Sequence, residues 1–291
     1  MRELKGRVAV VTGAARGLGR GIAESLAAAD MRLVLADINS DELYATADAL
    51  RDAGSNVCAV PTDVTSQTAI EALAKAALDK FGSVSVICNN AGIWDLGLAW
   101  EISLSEWRRM VDINLWGVIY GVHTFVPLLL KNPDGGHVVN TSSMAGLVGT
   151  HFRAPYAATK HAVVGLSQSI REEAKTLGLK LGVTVVCPGR VDTKVFGGFA
   201  GISSASSERV KDIMRQAATV LDSAAALPPR IAGDMIRDAI INDEFFVLPN
   251  ATTRHRPGIE REYEALMQAY VKGETSAALS VQKVAGASPS L

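Results

Sequence analysis

The sequence predicts one α/β domain in which helices cover both faces of a parallel sheet of about seven strands. Short, continuous apolar runs such as Val8–Thr12 are typical of strands that are buried on both faces. These runs alternate with longer segments of helical periodicity, which predicts parallel strands joined by right-handed crossovers. The 291 residues show no internal repeat and no dividing linker, and one α/β domain commonly reaches this length. The expected architecture is therefore a doubly wound sheet of the Rossmann type.

Four strands alternate with three helices in the first part of the chain. The strands are predicted at residues 8–12, 32–36, 57–61 and 84–89, and the helices at residues 17–29, 40–54 and 66–81. Asn39 or Ser40 supplies the N-cap of the second helix, because a short polar side chain can accept a hydrogen bond from a free N–H group there. Gly82 lies at the C-terminal end of the third helix, where a left-handed residue is common.

The second part of the chain repeats this alternation and loosens after Pro188. The predicted elements are a helix at residues 105–130, a strand at 137–141, a helix at 155–177, a strand at 183–187, helices at 207–221 and 228–242, and a last strand at 245–248. Residues 195–207 are rich in Gly, Ala and Ser. The segment from about residue 190 to 230 is therefore expected to form a lid over the substrate.

The C-terminal region differs in composition from the rest. Residues 254–270 form a charged, amphipathic helical pattern, and residues 273–291 contain few large apolar side chains. A segment that cannot bury much apolar surface tends to stay disordered. We therefore expect the folded domain to span residues 1–272 and to be followed by a flexible tail.

Composition and charge favour an enzyme with small ligands. The formal net charge is −1, so no basic field is present to attract nucleic acid or an anionic membrane. The apolar run after the charged N-terminus stops at Gly13, and no run approaches the roughly 20 residues of a membrane span, so neither a signal peptide nor a membrane segment is expected. Cys58, Cys88 and Cys187 are widely spaced and are expected to be buried thiols of a cytoplasmic protein. The five histidines lack paired ligand spacing, so no metal site is predicted.

A glycine-rich turn at residues 12–19 joins the first predicted strand to the first helix. Gly13, Gly17 and Gly19 allow close approach of a ligand, and the helix behind them offers free N–H groups to a pyrophosphate. The gaps between the glycines hold three residues and then one, which departs from the G-x-G-x-x-G fingerprint. The position of the turn, after a strand and before a helix, therefore carries the prediction of a dinucleotide site.

Asp37 and Arg16 bear on the choice of dinucleotide. Asp37 ends the second predicted strand, where a carboxylate can accept hydrogen bonds from the adenosine ribose hydroxyls of NAD. The same carboxylate would repel the 2′-phosphate of NADP. Arg16 lies within the turn and favours NADP, because it could pair with that phosphate. A repelling group in direct contact should outweigh it, so NAD is predicted and NADP is the runner-up.

Tyr156 and Lys160 are the candidate acid-base pair. Their i, i+4 spacing on a predicted helix places both side chains on one face. A tyrosine titrates near pH 10, and a neighbouring ammonium group would lower its pKa towards the working pH. This spacing is common by chance, so two further polar residues matter. Ser143 follows a predicted strand, and Asn114 lies inside the long helix, where a polar side chain requires a partner.

These motifs together resemble the short-chain dehydrogenase/reductase family over roughly residues 5–250. The similar segments are TGAARGLG at 12–19, Asp63-Val64, NNAG at 89–92, Asn114, Ser143, YAATK at 156–160 and PGRVDT at 188–193. The resemblance implies an oxidoreductase that moves a hydride between a nicotinamide cofactor and a carbinol carbon. It also implies a homotetramer or homodimer joined through the helices that carry Asn114 and Tyr156.

The same resemblance implies a role for each site residue. Tyr156 would be the acid/base, Ser143 would hold the substrate oxygen, and Asn114 would hold a water in a proton relay. Lys160 would bind the nicotinamide ribose and lower the pKa of Tyr156. The residues expected to contact the cofactor are Gly13, Arg16, Gly17, Leu18 and Gly19 at the pyrophosphate, Asp63 and Val64 at the adenine, Asn90, Ala91 and Gly92 at the ribose, and Pro188, Gly189, Val191 and Thr193 at the nicotinamide.

The substrate is expected to be a hydrophobic alcohol or ketone. The candidate pocket residues Trp94, His151, Phe152 and Phe196 are largely apolar, which favours a bulky, uncharged secondary alcohol over a small polyol. The alternative is that several of them simply pack the lid onto the sheet. Three functions compete: an NAD-dependent alcohol dehydrogenase, an NADPH-dependent carbonyl reductase and a non-catalytic dinucleotide-binding protein. The third is disfavoured because the predicted catalytic side chains are all present.

Overall fold

A computed structural model of the chain describes residues 3–192, 208–223, 226–251 and 256–285. The chain divides into two compact units, Met1–Asn250 and Ala251–Leu291. The strands of the first unit are β1 Val8–Thr12, β2 Arg32–Asp37, β3 Val57–Pro61, β4 Val86–Asn89, β5 Gly136–Thr141, β6 Leu181–Val186 and β7 Phe246–Val247. They form one parallel sheet in the order β3-β2-β1-β4-β5-β6-β7. The predicted doubly wound sheet is confirmed.

Helices follow the strands as the sequence predicts. They are α1 Gly17–Ala28, α2 Ser40–Asp52, α3 Gln67–Phe81, α4 Leu104–Val111, α5 Gly117–Leu129, α6 Ala154–Thr176, α7 Glu208–Ser223 and α8 Pro229–Asn242. The Asn39 side chain caps α2 by accepting a hydrogen bond from the Glu42 N–H. Gly82 ends α3 with a φ of 78°, a left-handed conformation that suits glycine. Both predicted helix boundaries are confirmed.

The predicted helix at residues 105–130 is interrupted. A π-helical turn, Asp112–Trp116, separates α4 from α5. A π turn inserts one extra residue into the helical repeat, and such turns are frequent at functional sites. Apolar periodicity does not reveal it, because the segments on both sides keep an ordinary helical pattern. Asn114, in the middle of this turn, is fully buried.

Apolar side chains fill both faces of the sheet. One core cluster includes Ile22, Leu33 and Ile236, and the other, on the opposite face, includes Val10, Ile70 and Phe125. Strand β1 is buried along its whole length, as its apolar sequence predicts. Of the three free cysteines, Cys88 and Cys187 are buried and Cys58 is partly buried.

A buried chain of hydrogen bonds ties α6 to the sheet. The Asn89 Nδ2 atom donates to Asn140 Oδ1 at 2.9 Å, and Asn140 Nδ2 donates to Ser167 Oγ at 3.0 Å. Ser167 in turn donates to the Val163 carbonyl, one turn earlier in the same helix. Buried polar groups are stabilising when each finds a partner. This chain holds the helix that carries Tyr156 in register with β4 and β5.

The second unit, residues 251–291, contains helix α9, Arg256–Ala285. This helix is longer than the predicted residues 254–270, and it runs through residue 272, where the sequence analysis ended the folded domain. Its extension follows from good helix formers, since Ala, Glu, Gln and Lys recur there without proline after Pro257. The flexibility of the tail stays a prediction. None of the described helices, α9 included, is both long and apolar enough to span a membrane.

Candidate active site

The predicted site residues gather at one edge of the sheet. They lie at or just after the carboxyl ends of six neighbouring strands: Gly13 after β1, Asp37 in β2, Asp63 after β3, Asn90 after β4, Ser143 after β5 and Pro188 after β6. The strand order reverses between β1 and β4. Doubly wound sheets bind ligands in the crevice at such a reversal. The structure therefore brings the cofactor candidates and the catalytic candidates to the same crevice.

The glycine-rich turn is closely packed backbone. Gly13 and Gly17 have φ values of 64° and 54°, and both are therefore left-handed. A Cβ on Gly13 would lie 2.8 Å from Ala91 Cα, and one on Gly19 would lie 2.0 Å from the Gly13 carbonyl oxygen. The first helix begins here with Arg16 as its N-cap residue and no side-chain cap, and Leu18 is buried in its first turn. Small residues and an N-terminus without a side-chain cap fit a pyrophosphate.

Thr12 joins this turn to the NNAG segment across the reversal. Its Oγ1 atom accepts hydrogen bonds from the backbone N–H groups of Asn90, at 2.9 Å, and Ala91, at 3.1 Å. The Asn90 side chain donates back to the Thr12 carbonyl at 3.0 Å. Sequence reasoning missed Thr12, although a hydroxyl at a strand end beside glycines is a usable signal. The Asn90 amide therefore holds the turn together, and its contact with the cofactor ribose stays a prediction.

Asp37 and Arg16 are both held by neighbouring groups. The Asp37 carboxylate accepts hydrogen bonds from the Ala15 N–H at 3.1 Å and from the Asn39 N–H at 3.0 Å. It is thereby anchored against the glycine-rich turn. The Arg16 Nη1 atom lies 3.8 Å from Glu42 Oε2 on α2. The basic residue that favoured NADP therefore faces a carboxylate of its own chain.

The adenine-side candidates are placed by the loop after β3. Asp63 Oδ1 accepts hydrogen bonds from the Thr65 N–H at 2.9 Å and from its hydroxyl at 2.8 Å. Val64 is buried against Gly117, where a Cβ would lie 3.1 Å from Val64 Cγ2. Asp63 is thus exposed at the crevice edge, and Val64 packs beside the π turn.

Asn114 uses its whole amide to hold the segment after NNAG. Its Oδ1 atom accepts from the Ile93 N–H and its Nδ2 atom donates to the Ile93 carbonyl, both at 2.8 Å. Nδ2 also lies 3.3 Å from Thr159 Oγ1 on α6. The partner that the sequence analysis required for this buried polar residue is therefore mainly Ile93. The proposed water relay stays a prediction.

Ser143, Tyr156 and Lys160 form a polar group at the start of α6, in which Ser143 and Lys160 are buried and Tyr156 is partly buried. The Ser143 hydroxyl accepts the Ala145 N–H at the beginning of a short 3₁₀ turn, Met144–Gly146, and hydrogen-bonds the Tyr156 phenol. Lys160 Nζ donates to the Thr141 carbonyl at 2.8 Å and lies 5.7 Å from the centroid of the Tyr156 ring. A Cβ on Gly92 would lie 3.4 Å from Lys160 Nζ. The catalytic candidates thus border the NNAG segment.

Burial dominates the titration of both groups. Burial raises the pKa of Tyr156 above its ordinary value, against the lowering effects of the Ser143 hydrogen bond and of the Arg153 charge. Burial lowers the pKa of Lys160 to about 8, so its ammonium form still predominates at neutral pH. The expectation that Lys160 lowers the pKa of Tyr156 stays a prediction. The Arg153 charge also lowers the pKa of Tyr156, and the sequence analysis missed this residue.

Some predicted site residues lie in the expected lid. The cofactor candidate Thr193 and the substrate candidate Phe196 lie outside the described residues, together with the rest of residues 193–207. Phe152 has a left-handed φ of 61°, and its ring meets His151 edge to face at 5.2 Å. The Arg153 guanidinium lies over the ring of Trp94, and the distance from Arg153 Cζ to the ring centroid is 4.8 Å.

The nicotinamide-side candidates after β6 are held by backbone contacts. The Pro188 carbonyl accepts the Met144 N–H at 3.1 Å, and the Gly189 N–H donates to Pro249 at 2.8 Å. Val191 is buried and forms an isolated bridge with Leu227. These contacts fix the segment at the crevice, beside the turn that carries Ser143.

The chain is similar to known dehydrogenases along most of its length. The family model described as short chain dehydrogenase matches residues 7–200. A 1-deoxy-11-beta-hydroxypentalenate dehydrogenase of Streptomyces exfoliatus is 37% identical over 225 residues, which cover 74% of this chain and 80% of that protein. One of Streptomyces avermitilis is 34% identical over 258 residues, covering 88% and 89%. A crystal structure of a short chain dehydrogenase/reductase from Burkholderia phymatum in complex with NAD aligns with a TM-score of 0.79 and 35% identity, over 85% of this chain and 90% of that chain.

Proposed function

The chain belongs to the short-chain dehydrogenase/reductase family, and on that premise we propose that it is an NAD-dependent dehydrogenase that interconverts a hydrophobic secondary alcohol and its ketone. Its class, an oxidoreductase of alcohols and ketones that uses a nicotinamide dinucleotide, follows from the family and its relatives. The observation that carries the finer proposal is the group of Ser143, Tyr156 and Lys160 beside the NNAG segment.

The side chains of this group divide the acid-base work. When bound, the nicotinamide ring supplies the hydride acceptor or donor. Tyr156 takes the proton of the alcohol hydroxyl in oxidation and returns it to the carbonyl oxygen in reduction. Ser143 hydrogen-bonds the same oxygen, so two hydroxyl groups polarise it together. Lys160 holds a positive charge beside the phenol and stabilises the phenolate that oxidation requires.

The role of Tyr156 is tested by Tyr156→Phe. Removal of one hydroxyl should lower kcat/KM by about 10²- to 10⁴-fold, the range for loss of a general acid-base group. NAD affinity, measured by calorimetry, should be largely unchanged because the ring remains. Substantial turnover by this variant would refute the assigned role.

NAD is the proposed cofactor because Asp37 is anchored at the end of β2 and Arg16 faces Glu42. The alternative is an NADPH-dependent carbonyl reductase. Wild type and Asp37→Ala should be compared with both cofactors in both directions. We expect wild type to prefer NAD and the variant to lose most of that preference, because the repulsion of a 2′-phosphate is removed. An unchanged preference for NAD would refute this account of Asp37.

A hydrophobic alcohol is the proposed substrate class. The Streptomyces relatives are dehydrogenases whose names specify a hydroxylated compound, which supports an alcohol. Trp94, whose ring lies against Arg153, and Phe152, the residue before Arg153, supply aromatic surface near the start of α6. A screen of aryl and alicyclic alcohols and ketones, read by NADH absorbance, tests the class. Turnover confined to small polyols would contradict it.

We also propose that the protein is a homotetramer or homodimer joined through α5 and α6. Trp116, at the end of the π turn, keeps 44% of its surface exposed, and its ring lies tilted against the partly buried Tyr120 at 5.6 Å between centroids. An exposed tryptophan on a helix suits an interface. Light scattering should give a multiple of the chain mass, and Trp116→Glu should reduce it. A monomeric wild type would contradict the proposal.

A further inference from the structure

Arg153 is a positive charge at the active site that the proposed chemistry does not use. It is the N-cap residue of α6, three residues before Tyr156, and it is partly buried. Its charge lowers the pKa of the Tyr156 phenol. Residues three apart at a helix start lie on the same side. The guanidinium therefore lies within the surroundings of the reacting oxygen.

The backbone around Arg153 is held in one arrangement. The Gly97 N–H donates to the Phe152 carbonyl at 2.9 Å, and Gly97 and Arg153 form an isolated parallel bridge. Phe152 adopts a left-handed φ of 61°, which is uncommon for an aromatic residue and costs on the order of 1 kcal/mol or more. Strain of this kind persists where the surrounding structure requires it. Arg153, the next residue, lies against the ring of Trp94, which is on the segment leading to Gly97.

Within the part of the chain whose side chains are described, Arg153 has an aromatic partner but no carboxylate partner. Among the side chains that the structure describes, its guanidinium contacts Trp94 at 4.8 Å and takes part in none of the ion pairs between basic and acidic side chains. Burial lowers the pKa of Arg153, but a guanidinium stays charged at any working pH. A partly buried cation with no counter-charge is costly unless a ligand supplies the anion.

We propose that Arg153 binds a carboxylate group of the substrate, so that the compound turned over is a hydrophobic hydroxy acid or the matching keto acid. This inference rests on the proposed function. The planar guanidinium can hold a carboxylate through two parallel hydrogen bonds, and the N-terminus of α6 favours the same charge. A carboxylate fits better than a phosphate, because a single charge costs less to remove from water beside the Trp94 ring. The apolar pocket walls then hold the carbon skeleton between the acid and the carbinol.

The test compares acids with neutral isosteres. The probes are 3- and 4-(1-hydroxyethyl)benzoate, the corresponding benzamides and 1-phenylethanol, with NAD as cofactor. Wild type should favour a benzoate over its benzamide in kcat/KM by about tenfold to hundredfold, which is the effect expected of hydrogen bonds to a charged group. Arg153→Gln should lose this preference, and the ratio of kcat/KM for benzoate and benzamide within one variant cancels any effect of the lost charge on Tyr156. Arg153→Lys should keep part of the preference, because the charge remains.

Two controls separate charge recognition from folding. Arg153→Met keeps the aliphatic stem on Trp94, so its melting temperature should match that of wild type while the preference is lost. Arg108→Gln removes the same charge from an exposed position on α4 and should leave the preference intact. The idea is overturned if wild type uses benzoates and benzamides equally, or if Arg153→Gln still prefers the acid.

Binding without turnover keeps this idea distinct from the proposed function. The Tyr156→Phe variant with NADH should bind 3- or 4-acetylbenzoate at least about tenfold more tightly than the matching acetylbenzamide, by calorimetry. If these acids bind through Arg153 but no alcohol in the panel is oxidised, the anion site stands and the proposed function fails. If neutral alcohols are oxidised and the acids show no advantage in binding or turnover, the proposed function stands and the anion site fails.

Discussion

The ends of β1 and β4 and the ends of β5 and β6 build their halves of the crevice differently. At the first pair, backbone segments approach closely because the residues are small, as where Gly19 packs on Gly13. At the second pair and at the start of α6, polar side chains carry the proposed chemistry, as where Ser143 meets Tyr156. In the proposed function, the first half recognises the cofactor by shape and N–H groups, and the second half acts on the substrate by charge and proton affinity. Added bulk should therefore damage the first half, and altered charge the second.

The largest expected effect is at Gly19. A Cβ there would lie 2.0 Å from the Gly13 carbonyl oxygen and 2.6 Å from Asn90 Nδ2. Gly19→Ala must displace the turn, at a cost of about 1–3 kcal/mol, so NAD affinity by calorimetry should fall about tenfold to hundredfold. Gly165→Ala on α6 is the matched control, because a Cβ there meets open space. The control should keep NAD affinity and gain up to about 1 kcal/mol in stability. Equal NAD affinity in the two variants would contradict the claim that close backbone packing at the glycine-rich turn is needed for cofactor binding.

A second prediction tests proton affinity in the catalytic half. The Ser143 hydrogen bond lowers the pKa of Tyr156, which burial has raised. Ser143→Ala should therefore raise the pKa further, so alcohol oxidation, which needs the phenolate, should reach half its maximum at a higher pH. It should also lower kcat by about 10²- to 10³-fold, as for loss of one oxyanion donor. The pH profiles of kcat/KM are the measurement, and Ser143→Thr, which keeps a hydroxyl, is the control. A profile shifted to lower pH would contradict the assignment.

A third prediction concerns stability, through a buried base on β5. His137 is fully buried with Nε2 2.8 Å from Thr184 Oγ1, and burial lowers its pKa from 6.5 to about 3. The unfolded chain binds a proton below pH 6.5, and the folded protein does so only near pH 3. The stability that neutral His137 contributes is thus complete above pH 6.5 and is lost as the pH falls towards 3. By pH 5 the loss in the free energy of unfolding is about 2 kcal/mol.

Urea unfolding at pH 7.5 and pH 5 measures this effect. His137→Gln should show a difference between the two pH values that is smaller than the wild-type difference by about 2 kcal/mol. The exposed His123→Gln serves as the control and should keep the wild-type difference. Equal differences in the His137 variant and wild type would show that other groups set the acid sensitivity.

The smallest expected effect is on α2. Glu42 faces Arg16 at 3.8 Å, with both side chains about half exposed. Glu42→Gln should free Arg16 to meet a 2′-phosphate and raise kcat/KM with NADP a few-fold, the scale of an exposed ion pair. Asp41→Asn, an exposed neighbour in the same helical turn, should change it less. If both variants behave alike, the effect is general electrostatics and Arg16 has no specific part in cofactor choice.

Much of the fold can be predicted from the sequence because its signals are local. The apolar run of β1, the cap Asn39 and the helix-ending Gly82 each act within a few residues. The strand ends then follow, and with them the edge at which the site residues meet. The extension of α9 beyond residue 270 was not predicted, because a polar helix without a clear apolar stripe resembles a disordered segment in composition.

The missed parts of the site depend on contacts between distant segments. Arg153 is one of many basic residues in the sequence, and its importance comes from Trp94, which lies far away along the chain. The pKa of Tyr156 depends on burial, which spacing does not reveal, so the i, i+4 lysine suggested a lowered value where burial raises it. The role of Thr12 likewise becomes evident from the hydrogen bonds that it accepts from Asn90 and Ala91 in the folded protein.

The π turn at Asp112–Trp116 changes the rotation of α5 about the helix axis relative to α4. An ordinary α-helix rotates about 100° per residue, so deletion of one residue from this turn would rotate α5 by about that angle relative to α4. Met110 before the turn and Phe125 after it are both buried, and a regular helix of the shorter length could not bury both. The extra residue of the π turn therefore sets the rotation of α5 relative to α4. Its deletion would turn the apolar side of α5 away from the core, although every proposed catalytic side chain would still be present in the sequence.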